Sequence, residues 1–197
     1  MSYRTVESLR EKIIAILPAY EENGDITRLL LEDGSSSRDD RTVQTVKKVL
    51  ARCYLLDLKE QARQLQASLQ RRKLLPFYLN HERIFIPIKM RAARIKNDCC
   101  YGYLDWRCIA DLEQHADGGT LVRMRNGLQE SALSSTSHII QQLHTGRQLY
   151  EALQQQAGRT HSSEQLLLEA ARLLAGSLDL LHNGLGKLGK NGQGKNI

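Results

Sequence analysis

The stretch RIFIPIKMR, residues 83–91, decides how the middle of the chain folds. Its side chains alternate with a period of two, the spacing of a β-strand with two distinct faces. One face carries Ile84, Ile86, Ile88 and Met90, and the other carries Phe85, Pro87, Lys89 and Arg91. The pattern predicts a half-buried strand. Pro87 places that strand at a sheet edge or at a bulge, because proline has no N–H to donate to a ladder.

Further strands are predicted downstream of this one. YGYLDWRCIADLE (101–113) is typical of an extended stretch, and TLVRMR (120–125) follows a turn at 117–119. Asn126-Gly127 predicts a tight hairpin, since both residues tolerate positive φ, and LQESAL (128–133) forms the returning strand.

The C-terminal part is predicted to be helical with flexible connections. A helix begins in the hydroxyl cluster at 134–137, and Gly146 could split it. QQQAGRTHSS (154–163) indicates a linker, although its last residues already include Ser162 of a capping box with Gln165. A leucine-rich helix is therefore expected within 157–182, and a disordered glycine- and lysine-rich tail over 183–197.

The first third is predicted to be helical as well. Apolar residues recur at helical spacing over 6–17, where Pro18 ends the run, and a short segment at 25–32 has Asp25 as a possible N-cap. The polar stretch 33–40 indicates a loop. Two helices follow, at about 41–54 and 57–70, the second capped by Asp57. This pair fits either a DNA-reading helix-turn-helix or a packing hairpin of two helices.

These elements predict an α+β protein. We expect a helical region over 1–75, a small antiparallel β module with a trailing helix over 76–156, and the C-terminal helix and tail beyond it.

With 41% hydrophobic and 25% charged residues in 197, the composition is that of a globular protein. The chain has no run of the 18 or more apolar residues that a membrane span needs, and its beginning is a poor secretion signal. We therefore expect a cytoplasmic protein without a membrane partner.

No enzyme or metal motif stands out. The sequence has no phosphate-binding glycine loop, dinucleotide fingerprint or nucleophile elbow, and its six histidines are scattered. Cys99, Cys100, Cys108 and His115 could be imagined as a zinc site, but they lack the paired spacing of structural zinc ligands. We expect reduced, metal-free structural thiols, no cofactor and no catalytic residues.

The strongest functional signal is a basic segment. Residues 71–96 contain eight basic residues and one acidic residue, a net charge of +7, whereas the whole chain has +6. Several cations on one surface can neutralise phosphates and displace condensed counterions. Lys89 and Arg91 share a strand face and are expected to project into solvent. The candidate nucleic-acid-binding residues are Arg71, Arg72, Lys73, Arg83, Lys89, Arg91, Arg94 and Lys96, joined by Arg123 and Arg125 on a nearby strand. The alternative is a solvated, charged face of an edge strand.

The middle of the chain resembles the ComK-type competence transcription factors. The resemblance rests on the order HERIFIPIKMR, CCYGYLDWRCIADLE and TLVRMRNGLQESALSSTSHIIQQL, within residues 81–145. It implies a bacterial transcription regulator that binds DNA as an oligomer. In outline the module is also similar to LytTR-type DNA-binding domains.

The sequence therefore predicts a non-catalytic DNA-binding transcriptional regulator that contacts phosphates through a basic strand face. We expect a homodimer joined through the leucine stripe of residues 163–182. The alternative is an adaptor that uses this stripe to bind another protein.

Overall fold

The computed structural model describes residues 6–21, 24–94 and 98–157. Helices and antiparallel sheets are both present, which confirms the predicted α+β class. Most of these residues belong to a compact unit that ends at residue 152; of the second unit, 153–197, only 153–157 are described, and they are helical. In chain order the elements are α1 (Val6–Leu9), β1 (Ile13–Glu21), β2 (Gly24–Leu31), β3 (Ser36–Asp39), α2 (Val43–Cys53), α3 (Leu58–Leu69), β4 (Phe77–Tyr78), β5 (Ile84–Lys89), β6 (Tyr101–Asp105), a 3₁₀ turn (Trp106–Cys108), β7 (Ile109–Gln114), β8 (Thr120–Met124), β9 (Gln129–Ala132) and α4 (136–157).

The strands form two antiparallel sheets. The larger has six strands in the order β3-β2-β1-β6-β5-β4, and the smaller has three in the order β7-β8-β9. The larger sheet combines strands that precede residue 75 with strands that follow it, because β1 pairs with β6 through Ala15 and Ile16. The predicted regions 1–75 and 76–156 therefore share one sheet.

The helices predicted over 6–17 and 25–32 are wrong. Only Val6–Leu9 is helical, and the rest of this region forms β1 and β2. Residues 13–18 are all buried, so β1 is covered on both faces, and its β-branched isoleucines favour an extended backbone. Pro18 is tolerated because the pairing of β1 with β6 does not reach it. Asp25 is not an N-cap; it pairs with Tyr20 in the β1–β2 ladder.

Both faces of the six-stranded sheet are covered. On one face α1 and α2 pack over a core that includes Ile16, Phe85 and Tyr103. On the opposite face the three-stranded sheet and α4 pack over Leu17, Ile86 and neighbouring residues. The sheet is therefore the middle layer of the unit.

The predicted strand over 83–91 is present as β5, and its outer neighbour β4 pairs only with Ile84 and Phe85. Pro87 therefore lies on a stretch of edge, as predicted. The expectation that β5 is half-buried is wrong, because its only exposed residue is Lys89. The face that carries Phe85 is covered as well, and its ring stacks on Phe77 with centroids 5.0 Å apart.

The extended stretch predicted over 101–113 is two strands in different sheets. Asp105 ends β6, and its carboxylate accepts a hydrogen bond from the backbone N–H of Arg107 (3.1 Å), which starts the 3₁₀ turn. The chain then enters β7 of the smaller sheet. The predicted hairpin at Asn126-Gly127 is confirmed between β8 and β9, where Gly127 has a φ of 87°.

The predicted helix pair is confirmed as α2 and α3. The Thr42 hydroxyl caps α2, and the Asp57 carboxylate caps α3 by accepting from the N–H groups of Lys59 (2.8 Å) and Glu60 (3.2 Å). The buried Gln61 side chain ties α3 to β4 by pairing with both backbone groups of Tyr78. The loop predicted over 33–40 is shorter than expected, because β3 begins at residue 36.

Helix α4 begins among the predicted hydroxyl residues and continues without a break through Gly146. A Cβ atom at this glycine would lie 3.1 Å from Ile86 Cγ2 and 3.1 Å from Trp106 Cβ, so Gly146 allows the helix to approach the sheet closely. The linker predicted over 154–163 is wrong for 154–157, which are helical. The capping box, the leucine-rich helix and dimer segment, and the tail lie outside the described residues.

The two sheets are joined by polar contacts. The Asn126 side-chain amide donates to the backbone carbonyls of Leu31 (3.0 Å) and Glu32 (3.4 Å), and Arg28 forms an ion pair with Glu130. The β8–β9 hairpin is therefore fixed to the end of β2.

Among the described residues, no helix combines the length and the apolar character that a bilayer crossing requires.

Candidate nucleic-acid interface

Arg91 does not project into solvent as the strand pattern predicted. Its side chain is 16% exposed and forms ion pairs with Asp25 and with Asp98 (2.6 Å), whose own side chain is 0% exposed. Its Nε donates to the Cys99 carbonyl at 3.0 Å, and its guanidinium lies 4.3 Å from the centroid of the Tyr20 ring. Arg91 therefore holds the segment before β6 against β1 and β2.

Arg83 is also engaged inside the fold. Its guanidinium donates to the Tyr54 hydroxyl (2.9 Å) and to the backbone carbonyls of Arg10 (2.8 Å) and Ile13. It lies 5.6 Å from the centroid of the Phe85 ring. Arg83 is therefore a structural residue and not part of the candidate interface.

Three more of the predicted cations have internal partners. Arg71 donates to the Leu74 carbonyl and to Gln142 of α4 (3.0 Å), and burial lowers the pKa of its guanidinium. Arg123 pairs with Glu113 on the adjacent strand β7. Arg94 is exposed, but its guanidinium lies 4.4 Å from the centroid of the Tyr20 ring, so it is oriented by the same ring as Arg91.

The remaining predicted cations do not form one patch on a single strand. Lys89 ends β5, Arg72 and Lys73 follow α3, and all three are exposed. Within the described residues they make no side-chain hydrogen bond or ion pair. Lys96 lies outside the described residues. Arg125 is one of the ten predicted residues, and it differs from the other described ones because it lines a concave site.

That site is a groove of about 670 Å³ between the 3₁₀ turn, the β8–β9 hairpin and α4. Within the described ranges, the groove is lined by eight residues, of which none is acidic, three are arginines and one is a histidine. It is lined by Trp106, Arg107, Ile109, Arg125, Ile140, Leu143, His144 and Arg147. A lining that combines apolar and cationic side chains is typical of a binding surface.

Two of the arginines that line this groove have no carboxylate partner in the part of the chain that the structure describes. Arg107 donates to the Tyr150 hydroxyl (3.2 Å) and lies over the Tyr150 ring, 4.6 Å from its centroid. Arg125 donates through Nε to the Arg107 backbone carbonyl (2.6 Å). Both acceptors are neutral, so each guanidinium is oriented but keeps its full charge and other N–H donors for a ligand. Arg147 differs, because its Nε pairs with Glu151 at 3.0 Å.

Trp106 lines the groove, and Tyr150 lies next to it. The Trp106 and Tyr150 rings lie 5.8 Å apart at 48°, and the Trp106 indole N–H has no acceptor within the described part of the chain. On α4 the lining residues Ile140, His144 and Arg147 recur at helical spacing, so one face of the helix contributes them. An anionic ligand with a planar or apolar part fits this combination.

The sequence did not single out Arg107, His144 or Arg147. A signal existed for two of them, because Ile140, His144 and Arg147 follow the period of a helix face that is partly apolar and partly basic. Arg107 gives no such signal, since it stands beside Trp106 in the stretch 101–113, which the sequence predicts to be continuously extended. The 3₁₀ turn, the β8–β9 hairpin and one face of α4 meet at the groove, and only the tertiary fold brings them together.

Asp105 caps the 3₁₀ turn that carries Trp106 and Arg107 of the groove. Its carboxyl is buried, and burial raises its pKa from the ordinary 3.8 to about 6, against the lowering effects of the Arg107 N–H, Arg83 and Arg107. Because this pKa exceeds the ordinary value, the folded protein retains a proton that the unfolded chain releases between about pH 4 and pH 6. Stability contributed by Asp105 therefore falls as the pH rises through this window and stays low above it.

We expect Asp105→Asn to remove this penalty. The neutral amide can still accept from the Arg107 N–H, so at pH 7 the variant should be more stable than the parent protein by up to about 2 kcal/mol. At pH 4 the difference should vanish. Urea unfolding across this pH range measures both values. The matched control is Asp57→Asn at the exposed N-cap of α3, which should show no gain; an equal gain there would contradict the role of burial.

The cysteines lie on both faces of the six-stranded sheet. Cys99 packs against the core beneath the helices, and Cys108 packs against the core beneath the smaller sheet. Burial, with a smaller effect from Asp105 and Glu32, raises the pKa of the Cys108 thiol to about 12. His115 is exposed in the turn after β7. Among the described residues, no three histidines, cysteines or carboxylates are grouped so that they could hold a metal ion.

Comparison with protein-family models, with curated proteins and with solved structures gave no match to this chain.

Proposed function

We propose that this protein is a non-catalytic, DNA-binding transcriptional regulator of the cytoplasm, and that its groove binds the phosphate backbone. The observation that carries the proposal is the pair Arg107 and Arg125. Both guanidinium groups face a concave surface, both are oriented by neutral acceptors, and neither has a carboxylate partner among the described residues. Such groups can exchange condensed counterions for protein contacts when a phosphate binds.

A polyanion fits these features better than a small anion. Several other exposed cations lack a carboxylate partner among the described residues, and the chain has a net charge of +6. Trp106 and the apolar lining residues of the groove offer contacts to sugars or bases beside the phosphates. The resemblance to ComK-type factors points in the same direction. We further propose that the regulator acts as a homodimer.

The proposal predicts a specific loss in the variant Arg107→Ala/Arg125→Ala. Affinity for duplex DNA should fall at least roughly tenfold, and the slope of log K against log salt should become shallower by about 2, because two phosphate contacts are removed. Fluorescence anisotropy with a labelled duplex at several salt concentrations measures both quantities. A duplex RNA competitor in the same assay distinguishes DNA from RNA as the preferred ligand.

The matched control removes the same charge elsewhere. Arg38 on β3 and Arg63 on α3 are exposed and paired with carboxylates, so Arg38→Ala/Arg63→Ala should leave the salt slope nearly unchanged. Equal slopes in the groove variant and the parent protein would refute the phosphate-binding groove. If the parent protein binds no duplex at low salt, the adaptor that uses the leucine stripe of residues 166–181 becomes the better proposal.

A further inference from the structure

The turn between α2 and α3 carries an unusual residue for its conformation. Leu55 has a φ of 55°, in the left-handed region, and its side chain is 95% exposed. The Leu55 N–H donates to the Arg52 carbonyl (3.0 Å) and the Leu56 N–H donates to the Ala51 carbonyl (3.0 Å). These two bonds define a Schellman motif, in which the left-handed position that Leu55 occupies is normally a glycine.

Folding alone does not favour leucine at this position. A Cβ atom is strained in the left-handed region, and glycine or asparagine adopts it at lower free energy. Full exposure means that the leucine side chain returns no packing energy to offset the strain. Leu55 therefore combines a strained backbone with an apolar side chain that is free to contact a ligand, a combination that supports a functional hypothesis.

The surroundings of Leu55 are basic. Lys48 and Arg52 lie one turn apart on α2, Lys59 lies in the first turn of α3, and all three are exposed. Within the described residues their side chains make no hydrogen bond or ion pair. The nearby carboxylates are already engaged, since Asp57 caps α3 and Glu60 pairs with Arg63. The surface therefore presents an apolar tip among unpaired cations, which is complementary to a polyanion with an apolar interior.

This turn lies at the same end of the six-stranded sheet as the groove. The Tyr54 hydroxyl, next to Leu55, accepts from Arg83 (2.9 Å), which directly precedes β5. On β5 the next residues pair with β6, where Phe85 faces Asp105, and Asp105 caps the 3₁₀ turn that carries Trp106 and Arg107. Because α2 packs on one face of this sheet and α4 on the other, a single duplex that contacts both the turn and the groove would pass around this end of the sheet.

We infer that Leu55 is an apolar wedge that enters the base stack of the bound duplex, while Arg52 and Lys59 contact the flanking phosphates. The inference rests on the proposed function. Proteins that kink DNA insert such apolar side chains between base steps, and basic residues beside them hold the backbone. Pyrimidine–purine steps unstack most easily, so the wedge should enter there.

The test compares three substitutions at Leu55. Leu55→Gly and Leu55→Asn should raise the urea midpoint, because both residues tolerate positive φ, yet both should weaken duplex binding roughly tenfold and abolish the bend. Leu55→Met keeps an apolar side chain and should retain the bend. The probes are duplexes of about 30 base pairs, selected from a random pool by the full-length protein and end-labelled for energy transfer.

The outcomes separate the wedge from the groove. Loss of the bend in Leu55→Gly and Leu55→Asn, with a salt slope equal to that of the parent protein, supports the wedge. An unchanged bend in these two variants overturns it and leaves the groove intact. A parent protein that binds the duplex without bending it also overturns the wedge, whereas failure of the parent protein to bind duplex DNA overturns the proposed function itself.

Discussion

Replacing Arg91 with alanine is expected to lower the free energy of unfolding by about 3 kcal/mol. The substitution leaves Asp98, whose side chain is 0% exposed, without its guanidinium partner, and it removes a partner of Asp25. An uncompensated buried carboxylate costs far more than an exposed pair contributes. Urea unfolding of the parent protein and the variant at pH 7 gives the difference.

A control with the same chemistry at the surface is available. Arg38 also pairs with two carboxylates, Glu21 and Asp40, but its side chain is 48% exposed. Arg38→Ala should therefore cost at most about 1 kcal/mol. In the Arg91→Ala background, Asp98→Asn should restore part of the stability, because the buried charge is gone. Equal losses for Arg91→Ala and Arg38→Ala would show that burial of the ion pair does not matter.

Replacing Gly146 with leucine should impair both the fold and the groove. The first side-chain carbon would already lie 3.1 Å from Ile86 and from Trp106, and both are held by the layers around them. We expect a loss of about 2 kcal/mol or more from overpacking. Because α4 would move away from Trp106, duplex binding should weaken more than in a variant that loses a single groove arginine.

The matched control places the same side chain at an open position of the same helix. Ala152 is exposed near the end of the first unit, so Ala152→Leu should alter stability by less than about 0.5 kcal/mol. Urea unfolding and anisotropy on both variants test the prediction. If Gly146→Leu unfolds and binds like Ala152→Leu, close approach at residue 146 is not required.

Local signals in the sequence were sufficient for several elements of the fold. Asn126-Gly127 encodes its turn in two residues, Asp57 caps α3 through its own carboxylate, and the hydroxyl cluster before α4 marks the start of that helix. The N-terminal strands gave a weaker signal. Their apolar residues face both layers, and a strand buried on both faces has no period that separates it from a helix.

The candidate site was harder to predict, because charge along the chain does not show where each charge is neutralised. Asp25, which pairs with Arg91, lies 66 residues away in sequence. The sequence predicts a basic surface over 71–96 because it does not show which arginines pair with carboxylates that are distant along the chain. Conversely, Arg107 and Arg125 stand 18 residues apart and join with α4 only because the chain leaves the larger sheet at the 3₁₀ turn.

The Asn126 amide has a consequence for the entropy of association. It fixes the turn that carries Arg125 to the carbonyls of Leu31 and Glu32, and Arg125 is further held by the Arg107 carbonyl. A mobile hairpin would lose backbone and side-chain freedom each time a ligand bound. Here that freedom is lost once, when the chain folds, so the hairpin meets its ligand already ordered.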